Sequence, residues 1–145
     1  MKIDVKRFDK NLPLPDGEEG AACLDLACSE TVTFPPGKIR SIRLNIALKV
    51  PSGYALLLFN RSSTPHKKGL ILANGVGVVD PFYCGDGDEN MAFLLNITDE
   101  PVTVSKGDKI VQCMIIKTEK IEWHEVDSMN SSGHGGYRHS DSLNV

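Results

Sequence analysis

The stretch TVTFPPGKIRSIRLNIALKVPSGYALLLF, residues 31–59, decides the class of fold. Three runs rich in β-branched and aliphatic residues, 31–34, 39–48 and 54–59, are separated by Pro35-Pro36-Gly37 and by Pro51-Ser52-Gly53. Apolar runs of this length bounded by Pro and Gly read as strand, turn, strand. The same grammar continues downstream, with strand-like runs at 76–79, 91–97, 102–104 and 110–116 and turns at Gly85-Asp86-Gly87-Asp88 and Lys106-Gly107-Asp108. Sustained helical periodicity is missing. Only residues 63–68 suit a short helical turn, with Ser62 or Ser63 as its cap. Many short strands at such spacing predict an all-β sandwich or barrel-like fold with at most one short helix.

A chain of 145 residues with 41% hydrophobic and 24% charged side chains has the composition of one globular domain. Its formal net charge of −3 excludes a broad electrostatic footprint for DNA or RNA. An anionic ligand must then be held by a few placed cations, backbone amides or a bridging metal. No apolar stretch approaches the ~20 residues of a membrane span. The opening MKIDVKRFDK has no apolar signal core, so a cytoplasmic location is expected. Cys23, Cys28, Cys84 and Cys113 form no CxxC pair and no zinc spacing, and are expected as reduced, mostly buried thiols. Residues 1–127 are read as the β domain. Residues 128–145, mostly Ser, Gly, Asn, His and Asp, are read as a flexible C-terminal arm of the same functional unit. The Gly-His-Gly-Gly-Tyr core at 133–137 suits close approach to a ligand, with the Tyr137 ring lying flat on a planar group.

Several short constellations carry chemical potential. Arg61-Ser62-Ser63 follows an apolar strand and combines a forked, permanent cation with hydroxyl donors suited to phosphate oxygens. In GLILANGVGVVDPFYCG, residues 69–85, Asp80 ends an apolar strand, where a partly buried carboxylate can serve as a general base towards water. Asn74 offers both a donor and an acceptor to a base edge, or else caps a turn. Asp25 lies in the apolar run AACLDLAC, where a charge is costly unless it is paired or bound to a metal. Hard oxygen ligands suit magnesium, which touches proteins through few carboxylates. The acidic group Asp86, Asp88 and Glu89 could also bind a cation, but is expected as an exposed hairpin tip. Gly107-Asp108-Lys109, with Gln112 downstream, reads as a tight turn opening a strand.

Five of these pieces, in order, resemble the motif set of the trimeric deoxyuridine triphosphatases (dUTPases). Ala22 to Leu26 resembles the first motif, Ala-Gly-x-Asp-Leu, with Cys23 in place of glycine. Arg61-Ser62-Ser63 with Gly69 resembles the second, and Asn74 followed by Gly77-Val78-Val79-Asp80 and Tyr83-x-Gly85 the third. Gly107-Asp108-Lys109-Ile110-Val111-Gln112 is similar to the fourth, Gly-Asp-Arg-Ile-Ala-Gln. Gly133-x-Gly135-Gly136-Tyr137 is similar to the glycine-rich fifth, whose usual aromatic is phenylalanine.

The resemblance implies a jelly-roll-like fold of the β-clip type and a homotrimer whose sites are shared between subunits. The implied reaction is dUTP plus water giving dUMP and pyrophosphate, with Mg2+ on the triphosphate. By the same resemblance, Asp80 activates the water that attacks the α-phosphorus. Asn74, with nearby backbone at Gly77 and Val79, reads uracil, and Tyr83 packs on the deoxyribose. Arg61, Ser62, Ser63 and Gln112 hold phosphate oxygens, Asp25 supports the metal through water, and Tyr137 stacks on the base. Two departures stand out. The arginine that opens the fifth motif is Ser132 here, leaving Arg138 or His139 as the replacement cation. Residues 86–90 also make a longer hairpin than in common members.

Two rival readings share the scaffold. A dCTP deaminase resembles this set, but its chemistry needs a glutamate in a strand that here reads Phe93-Leu94-Leu95-Asn96. A nucleotide-sensing or partner-binding protein has no need of a carboxylate at the position of Asp80.

Overall fold

The computed structural model describes residues 1–133. Among them are eleven strands and one helix. The strands are β1 (Asp4–Arg7), β2 (Leu24–Ala27), β3 (Val32–Phe34), β4 (Ile39–Arg43), β5 (Ile46–Lys49), β6 (Tyr54–Asn60), β7 (Leu70–Leu72), β8 (Gly77–Val79), β9 (Met91–Asn96), β10 (Val102–Val104) and β11 (Lys109–Lys117); the helix α1 (Ser63–Lys68) follows β6. All pairings are antiparallel, in a four-stranded sheet β2-β11-β6-β8, a three-stranded sheet β4-β9-β7 and the pairs β1-β5 and β3-β10. The all-β expectation with one short helix at 63–68 holds.

One core joins the sheets. Leu26 of β2, Leu56 and Leu58 of β6, and Val111 and Cys113 of β11 cluster with Ile42 of β4, Leu70 and Leu72 of β7, and Leu94 of β9. Strand β9 shows the period-two logic directly, since Ala92, Leu94 and Asn96 are buried while Met91 and Phe93 are exposed. Phe34 and Ile110 belong to the same cluster and have no exposed surface. No helix of the described residues is long and apolar enough to cross a membrane. Beyond β11, residues 118–133 are exposed throughout and form no helix or strand.

The single strand expected over 39–48 is two strands. Asn45 adopts φ +65°, a left-handed conformation that a strand cannot contain, and the chain turns there between β4 and β5. Its buried side chain compensates. Oδ1 accepts from the Asp9 amide at 2.7 Å, and Nδ2 donates to the Asp9 carbonyl at 3.1 Å. Asn45→Ala should therefore cost about 2–4 kcal/mol of stability in a urea titration, combining lost buried hydrogen bonds with left-handed strain. Asn45→Gly keeps the conformation and loses only the bonds, so it should cost clearly less.

The acidic hairpin also divides differently from expectation. Asp86 stands in solvent and pairs with Lys6 at 3.1 Å, and Asp88 accepts the Gly85 amide at 2.7 Å. Glu89 is instead buried, taking hydrogen bonds from the Ser29 hydroxyl (2.6 Å), the Arg43 guanidinium (3.1 Å) and the Asn45 amide (2.9 Å). Those three donors make burial of its charge tolerable. Of the four free thiols, Cys28 and Cys113 are buried and Cys23 and Cys84 half-buried. Burial pushes Cys28 and Cys113 each up to about 12, so neither supplies a thiolate.

Candidate active site

The described residues among those singled out from the sequence fall into two groups, at opposite edges of the four-stranded sheet. Strand β8 pairs with β6 in the register Leu56↔Val79, Leu57↔Val78 and Leu58↔Gly77, which leaves Asp80 just past the paired end. Asp80 is exposed and lies at a cleft of about 360 Å³ floored by Leu58, Leu72 and Ala92 and lined by Asn74, Tyr83 and Phe93. Asp80 is the sole carboxylate among the described residues lining it. Gly77 is buried, and a Cβ there would stand 3.0 Å from the Leu58 Cβ, so packing onto β6 explains the glycine. Val79 is half-buried on the same strand.

Asn74 sits in the turn after β7, where its carbonyl accepts the Val76 amide at 2.8 Å. Its exposed side-chain amide makes no hydrogen bond among the described residues, so both its donor and its acceptor are available to a ligand. Tyr83 is half-buried, and its hydroxyl donates to the Glu89 carbonyl at 3.2 Å, which ties the ring to the buried Glu89 network. The sequence reading missed Asn90. This residue lines the cleft, is 1% exposed, and keeps Oδ1 without a hydrogen-bond partner.

The second group gathers at the far end of β6. Gln112 on β11 lies opposite Asp25 on β2 and Phe59 on β6. Arg61 reaches across this row, with Nε 2.8 Å from the Asp25 Oδ1 and Nη1 donating to the Lys109 carbonyl at 2.6 Å. The charge of Asp25, costly in an apolar strand, is thus paired. Gln112 donates through Nε2 to the Asn60 carbonyl at 2.8 Å.

Ser62 occupies the N-cap position of α1 but makes no capping bond. Its backbone (φ −53°, ψ −35°) is already helical, whereas a capping side chain needs an extended residue. The expected cap is absent, and the exposed hydroxyl of Ser62 stays available beside the half-buried Ser63. Thr64 holds the helix to the same region, donating to the Ile110 carbonyl at 2.7 Å. Lys68, at 2.9 Å, holds the Asp108 carboxyl below the usual carboxylate range. Tyr137, Arg138 and His139, with the proposed stacking ring and replacement cation, lie outside the described residues, as does most of the expected arm.

The two groups lie at opposite edges of the four-stranded sheet. From Leu56, opposite the last residue before Asp80, to Arg61, one residue past the end of β6, is five residues, about 17 Å at roughly 3.4 Å per residue. Arg61 also extends towards β2, on the side of the sheet away from β8.

An apolar cleft with one carboxylate at its lip, and a separate set of donors suited to phosphate, are the equipment of a nucleotide hydrolase. The dUTPase family model matches residues 10–142 of the chain. The deoxyuridine 5'-triphosphate nucleotidohydrolase of Thermobifida fusca (strain YX) is 36% identical over 138 residues, covering 93% of this chain and 75% of that protein. Its counterpart in Lactococcus lactis subsp. lactis (strain IL1403) is 40% identical over 105 residues, 70% of this chain and 69% of that protein. The solved dUTPase of Streptococcus mutans superposes with a TM-score of 0.76 at 32% identity, covering 85% of this chain and all of that one (100%). The dUTPase of Staphylococcus bacteriophage 80alpha, solved with dUPNHPP, shares the fold with a TM-score of 0.78 at 22% identity, over 94% of each chain. The chain belongs to the dUTPase family. Its activity is that of a dUTP diphosphatase, the hydrolysis of dUTP.

Proposed function

We propose that dUTP is hydrolysed at a site made of both groups of residues, with Asp80 from one subunit and the Arg61 cluster from another in a homotrimer. Water held by Asp80 attacks the α-phosphorus, giving dUMP and pyrophosphate. Asn74 and the backbone at Gly77 and Val79 read the uracil edge, and Tyr83 lies against the deoxyribose. Arg61, Ser62, Ser63 and Gln112 hold the phosphate oxygens, and Tyr137 and Arg138 complete the site from the arm. Three phosphates crowd negative charge, so donors already fixed in place carry most of the catalytic benefit.

The observation that carries this reading is the placement of the two groups, with Asp80 leaving the β8 edge of the four-stranded sheet and Arg61 turned away from it to Asp25 on the β2 edge. Uncovered apolar surface supports an assembly as well. A groove of about 490 Å³ is lined by Ile3, Leu14, Leu24 and Met114, and Ile121 and Trp123 (66% and 88% exposed) protrude from the extended tail. Apolar exposure of this kind marks interaction surfaces.

The donor set fits Mg2+ held chiefly by substrate. Mg2+ typically keeps several waters and binds through substrate phosphates and one or two carboxylates, and Asp25 beside the phosphate donors is a carboxylate of that kind. Asp25 commits Oδ1 to Arg61, and its other oxygen is suited to hold a metal-bound water. When bound, the ion neutralises charge across the triphosphate.

Deamination finds no support, since β9 contributes no acid to the cleft. The test is release of pyrophosphate and of ammonia from each deoxynucleoside triphosphate, with Mg2+ or EDTA. Pyrophosphate from dUTP alone, abolished by EDTA, is the expected result. Ammonia from dCTP, or undiminished hydrolysis in EDTA, would overturn the corresponding part of the reading.

A further inference from the structure

Residue 16 belongs to none of the motifs discussed above, yet it touches two of them. Residues 8–23, between β1 and β2, contain one regular pairing, an isolated bridge between Asp16 and Asp25. The Asp25 amide donates to the Asp16 carbonyl at 2.7 Å, and the Asp16 amide donates back at 3.3 Å. The Asp16 side chain turns to a second element. Both of its carboxylate oxygens take the Lys109 ammonium, at 2.5 and 2.7 Å.

These contacts close a ring. Asp16 holds Asp25 through the backbone, Asp25 holds Arg61 through Nε, Arg61 donates to the Lys109 carbonyl, and Lys109 returns to Asp16. Lys109 stands where the β2–β11 ladder slips, with Lys109↔Ala27 followed by Val111↔Leu26. Such a bulge leaves the ladder locally unpaired and sets the direction of nearby groups. The carbonyl that fixes the Arg61 fork therefore sits at a point the sheet itself does not hold firmly. The ion pair to Asp16 supplies the missing constraint.

We infer that Asp16 is a positioning residue for the triphosphate, fixing Lys109 and Asp25 so that the free edge of the Arg61 guanidinium is already set when substrate arrives. This rests on the reading that Arg61 and Asp25 serve the phosphates. Asp16 itself touches no substrate in this account. Both partners are partly exposed (side-chain exposure 31% for Lys109 and 53% for Asp16), so the pair adds little to global stability and its variants should fold.

Three variants and two ligands test the idea. Asp16→Asn should raise the KM for dUTP about fivefold with kcat within about twofold, the pattern of lost phosphate binding shared by ground and transition states. Asp16→Glu keeps the charge and should lie within about twofold of wild type. Binding of deoxyuridine, which lacks phosphates, should be unchanged in Asp16→Asn, whereas general damage to the fold would weaken both ligands alike. An unchanged KM for dUTP in Asp16→Asn, or equal losses for dUTP and deoxyuridine, overturns the inference. Arg61→Ala separates the two levels. If it leaves the dUTP KM unchanged, the phosphate role of the cluster is wrong; if it raises KM while Asp16→Asn does not, only the role of Asp16 is wrong.

Discussion

Asp80→Asn should lower kcat for dUTP by about a thousandfold while leaving KM within a few-fold of wild type. The amide is nearly isosteric and keeps the hydrogen bond that places a water, but it cannot take the proton as the water attacks. Loss of a positioned general base typically costs 10²- to 10⁴-fold. Substrate affinity, by contrast, is assigned to groups that the substitution leaves alone, namely the uracil-reading turn at Asn74 and the phosphate donors around Arg61. Asp80 is exposed, and its side chain makes no hydrogen bond or ion pair among the described residues, so the variant's melting temperature should match wild type. A variant retaining more than about a tenth of wild-type kcat would remove Asp80 from the role of base, since so small a loss is below what such a group supplies. A large loss accompanied by an equal rise in KM would mean instead that the residue binds rather than activates.

How much of this was legible beforehand depended on whether the deciding interaction was local. Turn residues that bound apolar runs act on their neighbours, so β3, β6, β9, β10 and β11 emerged near their observed limits, and so did α1. Strand β1 did not, because DVKR is charged and exposed and owes its conformation to pairing with β5, some forty residues away. Strand β7 is three residues, and the helix runs into it with only Gly69 between. The break at Asn45 was hidden inside an apolar alternation. An asparagine tolerates left-handed geometry, but only its bonds to Asp9 reveal that it adopts it here. Among site residues, Asp80, Asn74, Arg61 and Gln112 carry recognisable chemistry in short motifs. What those motifs do not contain is pairing at a distance. The partner of Asp25 is 36 positions away and that of Lys109 is 93 positions away, and Glu89 looked like one of three solvated acids until its three donors were seen around it.

Coexpression of Arg61→Ala with Asp80→Asn should restore dUTPase activity that neither variant has alone. If every site takes its carboxylate from one subunit and its phosphate donors from a neighbour, a defect in either residue inactivates the homogeneous oligomer. In a random mixture some sites combine the intact Asp80 of an Arg61→Ala subunit with the intact Arg61 of an Asp80→Asn neighbour. For a 1:1 mixture each requirement is met half the time, so about one quarter of the sites should be whole, whatever the size of a closed ring of head-to-tail contacts. Measured with separate tags on the two chains, at dUTP concentrations below KM, the purified mixed trimers, which exclude the inactive homotrimers and each hold one whole site in three, should show about a third of wild-type kcat/KM. A site complete within one chain makes the opposite prediction. Every mixed oligomer would then contain only singly defective sites, and activity would stay at the sum of the two variants. The geometry favours the first outcome, because Arg61 is tethered to Asp25 on one edge of the four-stranded sheet while Asp80 leaves the opposite edge. Bringing them together inside one protomer would require breaking the Arg61–Asp25 pair and unpairing β8 from β6. Either change removes a group that the reaction is assigned to use, which is why the mixed oligomer is expected to regain activity.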